Sequence, residues 1–218
     1  MSPYSSWLYG AIVAVRRLAI RDLLRAAATF RRSEQPEMYG HVHPHGHATA
    51  KLSRAFAAAL ARRRAVTARA LDEIELGAYL HDIGKYLIPA SVLLKPGPLS
   101  SEERASVSLH PAYGADIISG LDGVTDTVYS VVLCHHERWD GEGYPGGLGG
   151  TRIPFAARLV AVCDVYTSLR ARRPYKPSLS RREAATTMEE MAGRELDPDM
   201  VLDFVRLIAL ERHGRAGG

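Results

Sequence analysis

Two short segments constrain this chain more than anything else in it. They are His81-Asp82-Ile83-Gly84-Lys85 and, downstream, His135-His136-Glu137-Arg138-Trp139-Asp140-Gly141-Glu142-Gly143-Tyr144-Pro145. The His135-His136 doublet follows the apolar run 128–134, and adjacent histidines there are costly to bury without partners. Asp164 continues the run Leu159-Val160-Ala161-Val162-Cys163, where a lone carboxylate needs a metal or a hydrogen-bond partner. His110 stands in His110-Pro111-Ala112-Tyr113-Gly114. Taken singly, a His-Asp pair reads as a surface or capping feature and His110-Pro111 as a helix end. Together these types bind first-row metals. A His-Asp doublet, a His, a His-His doublet and an Asp can hold two metal ions. Two close metals can activate water and clamp a phosphodiester. Lys85, one helical turn from His81 and Asp82, can meet a phosphate oxygen as a point charge. The expected chemistry is metal-dependent phosphodiester hydrolysis.

The rest of the chain reads as helix. Aromatic residues are 7% of the 218, while Ala, Leu and Arg are abundant. No strand pattern or internal repeat is visible. Residues 7–31 have the spacing of an amphipathic helix with a basic face, and 33–46, with two prolines and two glycines, read as a connector. Helices are expected over about 45–64, 67–86, 111–120, 123–136, 154–170, 180–193 and 198–213. Ser100 with Glu103 forms a capping box that opens a further helix through Leu109. Residues 140–154 hold too many glycines for a regular element and read as a structured loop. The expected organisation is a basic helix and connector over 1–39, one domain over 40–213 and a flexible tail over 214–218.

Charge and cysteine usage narrow the partners. The net charge of +4 lies within residues 1–35, where Arg16, Arg17, Arg21, Arg25, Arg31 and Arg32 outweigh Asp22 and Glu34. The balanced remainder argues against a nucleic acid polymer as partner. The N-terminal helix is left three roles: packing on the domain, forming a dimer or protein-partner surface, or touching anionic lipid. Cys134 and Cys163 read as buried thiols. The apolar stretch 7–15 is too short to span a bilayer and has no signal-peptide layout, so the expected location is the cytoplasm.

The motifs resemble, in order and spacing, the HD-GYP domain, a subset of the HD phosphohydrolase superfamily. The resemblance covers about residues 40–208. It rests on HDIGK at 81–85, IPASVLLKPGPLSSEE at 88–103, HPAYG at 110–114, HHERWDGEGYPGGLGG at 135–150, IPFAARLVAVCDVYTSL at 153–169 and RPYK at 173–176. The resemblance implies an all-α bundle around a two- or three-metal centre, usually iron or manganese. It also implies hydrolysis of cyclic di-GMP to pGpG or GMP. By resemblance, His45, His81, Asp82 and Asp164 surround one ion. Asp82, as a bridge, joins His110, His135 and His136 around the other. Asp82 and Lys85 are the expected catalytic residues. Gly143, Tyr144 and Pro145 would shape one substrate wall, and Lys85, Arg173, Tyr175 and Lys176 would contact phosphate or base.

The first ligand has to be chosen among His41, His43, His45 and His47. Helical register from His45 carries Thr49, Leu52, Ser53, Phe56, Ala57 and Leu60; from His47 it carries Lys51, Arg54, Ala55 and Ala58. The apolar face favours His45. Three-metal members of the family place a Glu one turn before this histidine; here that position is His41, so two metals are expected. The thin N-terminal region keeps a second reading open, a non-catalytic or weakly active signalling module binding a nucleotide or protein. A third is a hydrolase of another cyclic dinucleotide.

Overall fold

The computed structural model describes residues 36–61, 63, 66–171 and 177–210, and every structural statement below refers to them. The expected N-terminal helix over 7–31, the tail 214–218, and Arg173, Tyr175 and Lys176 lie outside the described residues. The described residues form helices and turns without a strand; an isolated bridge joins Ala192 and Leu196. None of the helices is long and apolar enough to cross a membrane.

Nine α-helices follow one another: α1 Pro36–Leu60, α2 Ala68–Leu80, α3 Ala90–Leu93, α4 Ser101–Val107, α5 His110–Ile118, α6 Asp126–Cys134, α7 Phe155–Arg170, α8 Arg181–Met191 and α9 Pro198–Leu210. Two 3-10 turns, Ile83–Leu87 and Gly150–Arg152, complete the order. Side-chain caps set several starts. Thr67 accepts from the Ala70 N–H at the head of α2, and Thr125 from Val128 at the head of α6. Ser100 with Glu103 and Ser180 with Glu183 form capping boxes for α4 and α8. Asp197 accepts from the N–H groups of Asp199 and Met200 to start α9.

α7 is the spine. Leu159, Val160, Val162 and Cys163 are all buried, so it is apolar nearly all round, as a central helix must be. It contacts α1, α2, α6, α8 and α9. Phe204 of α9 joins Phe56 of α1 and Tyr166 of α7 in edge-to-face contacts, each 5.1 Å between ring centres.

Two expectations are corrected. The connector over 33–46 is largely helix, because α1 begins at Pro36 and runs through Gly40, Pro44 and Gly46. Proline suits a helix start; an interior Pro44 forfeits a backbone bond. Tertiary packing outweighs that loss, since α1 lies so close to α2 that a Cβ at Gly46 would sit 2.9 Å from the Tyr79 carbonyl oxygen. The helix expected over 67–86 stops at Leu80 and resumes as the 3-10 turn Ile83–Leu87. The interruption is what lets Gly84 press onto α5, where a Cβ would lie 1.9 Å from the His110 carbonyl oxygen. That backbone contact brings the His81-Asp82 doublet beside His110.

Candidate metal centre

Helix ends deliver the histidines. The last carbonyls of a helix have no partner within it. His81 directly follows α2, His135 directly follows α6, and His110 stands three residues beyond the end of α4. Each turns its ring back on a carbonyl three residues earlier. Nδ1–H of His81 donates to Ala78 at 2.7 Å, that of His110 to Val107 at 2.8 Å, and that of His135 to Val132 at 2.9 Å. A carbonyl only accepts, so Nδ1 carries the proton and Nε2 points into the pocket. The same contact that finishes a helix orients a potential metal ligand.

Asp82 stands between two groups. Its Oδ1 lies 3.3 Å from His110 Nε2 and 3.9 Å from His135 Nε2. Its Oδ2 lies 3.4 Å from His81 Nε2 and accepts a 2.7 Å hydrogen bond from Lys85 Nζ. On the far side, His45 Nε2 meets Asp164 Oδ1 at 2.6 Å, and His81 Nε2 is 3.7 Å from the same oxygen. Asp82, His110, His135 and His136 thus form one group of donor atoms within 4.8 Å of one another; His45, His81 and Asp164 form another.

The donor chemistry fits divalent cations. Asp82 Oδ1 and His81 Nε2 are fully buried without a hydrogen-bond partner, an expensive state for polar atoms. His110 Nε2 and His135 Nε2 approach to 3.2 Å. With both protons held on Nδ1, two lone pairs face each other, an arrangement that a cation relieves. Burial, reinforced by His136, holds the His135 imidazole well below the usual histidine range. Burial also lowers His136 to about 4, with His110 adding to the effect. Both are neutral near pH 7, as ligands must be. Burial acts against a charged His81 too, but the Asp82 and Asp164 carboxylates together outweigh it and raise His81 to about 9. Burial would raise the Asp82 and Asp164 carboxyls; His81 and Lys85 hold the first low, and the His45 hydrogen bond, with His81, holds the second low.

The loop after His136 closes one side. Tyr144 stacks on the His136 ring with centres 4.9 Å apart, and its N–H donates to the His136 carbonyl at 3.2 Å. Gly143 allows this close return, since a Cβ there would lie 2.3 Å from the Arg138 nitrogen. The peptide bond between Tyr144 and Pro145 is cis. The residue that sequence reasoning passed over is Glu137. It is 4% exposed, and its carboxylate accepts N–H bonds from Gly146 at 2.6 Å and Leu148 at 2.9 Å. A carboxylate preceding a glycine-rich loop, itself a supply of unpaired N–H groups, was the available signal.

The structure thus gathers His45, His81, Asp82, His110, His135, His136 and Asp164 into one pocket, with Lys85 on Asp82 and Tyr144 on its wall. His47, the other register choice, is exposed and packs beside His43 and Tyr79.

An all-helical bundle whose helix ends turn histidines and carboxylates toward one another defines a helical protein with a donor cluster compatible with divalent metal binding. The HD domain family model matches residues 24–200, and the chain belongs to that family. It is 44% identical over 134 residues to the cyclic di-GMP phosphodiesterase response regulator RpfG of Xanthomonas campestris, covering 61% of this chain and 35% of that protein. It is 36% identical over 131 residues to 3'3'-cGAMP-specific phosphodiesterase 2 of Vibrio cholerae, covering 60% of this chain and 25% of that one. The chain therefore spans about a quarter to a third of the length of these relatives. Among solved structures, Bd1817, an HDG"Y"P protein from Bdellovibrio bacteriovorus, superposes with a TM-score of 0.59 at 23% identity. That match covers 77% of this chain and 52% of the other, and it shows the shared fold.

Proposed function

We propose that this chain is a metal-dependent phosphodiesterase that opens a 3'-5' linkage of cyclic di-GMP. The observation that carries the reading is Asp82, whose two oxygens face separate histidine groups across a buried pocket. His45, His81 and Asp164 would hold one ion and His110, His135 and His136 the other, with Asp82 shared. Two divalent ions, iron or manganese, would supply Lewis-acid polarisation and a water nucleophile at neutral pH. The protein's own part is positioning and electrostatics. Lys85, lying on Asp82 Oδ2, is placed to exchange that contact for a non-bridging phosphate oxygen and stabilise the charge that builds there. Gly143, Tyr144 and Pro145 form a wall that orients the dinucleotide beside His136. Arg173, Tyr175 and Lys176 would contact phosphate and base. The working unit would be residues 40–213, with 1–39 as a basic appendage, acting in the cytoplasm.

A second substrate is favoured by a specific likeness, that to the 3'3'-cGAMP-specific enzyme, but at 36% against 44% identity it ranks behind cyclic di-GMP. The deciding experiment is anaerobic turnover of both cyclic dinucleotides by protein loaded with iron or manganese, with product chromatography and an Asp82→Ala control. Expected is cleavage of cyclic di-GMP that vanishes in the control. Absence of turnover at two ions per chain would sink the catalytic reading.

A further inference from the structure

The histidine-rich start of α1 holds more imidazoles than the pocket uses. His45 turns toward Asp164. His43 and His47, one helical turn apart, share a different stripe of the same helix. Their rings meet edge to face, with centres 4.7 Å apart. Tyr79 of α2 completes the group. Its hydroxyl is 2.8 Å from His43 Nε2, and its ring centre is 4.9 Å from that of His47. The close passage of α1 over α2 at Gly46, against the Tyr79 carbonyl, fixes this juxtaposition.

We propose that His43 and His47 form a second transition-metal site, oriented by Tyr79 and separate from the Asp82 pocket. Two imidazoles at i and i+4 on one helix face are the spacing that a helix uses to chelate a single ion. The Tyr79 hydroxyl supplies what ligating histidines require from outside the metal: a partner for the second ring nitrogen, which fixes ring orientation. The partial exposure of His43 and the greater exposure of His47 leave room for water to complete the coordination. The donor set also differs from that of the pocket. Imidazole without a shared carboxylate selects copper, nickel or zinc, whereas the carboxylate-bearing pocket also suits manganese and iron. The inference is a site for a borderline divalent ion that fills independently of the catalytic ions.

The test uses the full chain stripped of metal and titrated with Ni(II) by equilibrium dialysis with elemental analysis. Cu(II) paramagnetic resonance reports nitrogen coordination in parallel. The forms compared are wild type, His47→Ala, His47→Gln, His43→Ala, Tyr79→Phe and Asp82→Ala. Each histidine variant should bind one equivalent fewer than wild type and lose the two-imidazole copper signal. The Asp82→Ala protein should keep both. Tyr79→Phe should weaken the site by about tenfold without abolishing it. His47 is exposed, so its variants fold, which circular dichroism verifies. Equal stoichiometry and affinity in wild type and both His47 variants would overturn the proposal. So would disappearance of this ion in Asp82→Ala, because the site would then be part of the pocket.

Discussion

The two halves of the pocket solve the same problem in opposite electrostatic ways. On one side His110 and His135 are buried, and the neighbouring His136 stacks under Tyr144. Their attraction for a cation comes from aligned lone pairs and one Asp82 oxygen. On the other side His45 and Asp164 are partly exposed and already paired at 2.6 Å, and His81 holds a proton to about pH 9. The first half is preorganised, with His110 and His135 held on helix-end carbonyls and His135 and His136 kept uncharged by burial; His81 of the second half is held on the Ala78 carbonyl in the same way. The second has donors already engaged with one another, His45 with Asp164 and a protonated His81 beside Asp82, and those contacts must open before a metal can enter. Open donor atoms therefore concentrate on the α5–α6 side, and adjustability on the partly exposed His45 and Asp164 of the α1–α7 side.

The sharpest way to break this comparison is to remove one imidazole from each half. His135→Ala should abolish occupancy on its side and, through the shared Asp82, weaken the other, with turnover falling more than about a thousandfold. His45→Ala should cost one ion and about a hundredfold in turnover, because water can take the place of a partly exposed ligand. Metal analysis beside steady-state rates checks both. Equal losses in the two variants would mean that the halves are not distinct.

Protons offer the next test. His81 is raised from 6.5 to about 9, so metal uptake at its side displaces a proton at neutral pH. Affinity there should rise by about tenfold per pH unit between roughly 7 and 9. The stability of the metal-free protein follows with worked signs. The raised His81 contributes stability that is fully present below 6.5 and lost as pH rises through about 9. His136, lowered to about 4, contributes stability present above 6.5 and lost as pH falls toward 4. Metal-free protein should therefore melt highest near pH 6.5, with a decline on both sides in a thermal scan series. A profile flat from pH 6.5 to 9 would remove the ion-pair account of the His81 half.

The preorganised half was the more legible in sequence. The His135-His136 doublet ends an apolar helical run, and the helix expected over 123–136 placed it at a helix end, whereas the His81-Asp82 doublet was expected inside a helix over 67–86 that in fact stops at Leu80. Helical register also set His45 apart from His47, because one face was apolar and the other charged. What local pattern could not show was tertiary. Pro44 and Gly46 look like breakers until α2 is seen packed against them, so α1 starts earlier than its sequence advertises. The break after Leu80 is imposed by the contact between Gly84 and α5, which no periodicity contains. Glu137 stood in plain view within the motif. Its role depends on where Gly146 and Leu148 return in space, and that is a property of the folded loop.

That loop supplies the smallest expected effect, and it tests whether the preorganised half extends into the proposed substrate wall. Glu137→Gln keeps the shape of the side chain but can accept through one oxygen only. One of the N–H groups of Gly146 or Leu148 then faces an amide donor, a loss of about 1–3 kcal/mol in a buried setting. The His136 and Tyr144 backbones hold each other directly, so the metal ligands should stay in place while the loop tip loosens. Expected is a KM for cyclic di-GMP raised by about tenfold, equivalent to roughly 1.4 kcal/mol, with kcat and metal content close to wild type. If kcat and metal content fall while KM holds, Glu137 acts on the metal side. The loop would then belong to the ligand framework, and the wall role of Tyr144 and Pro145 would need another support.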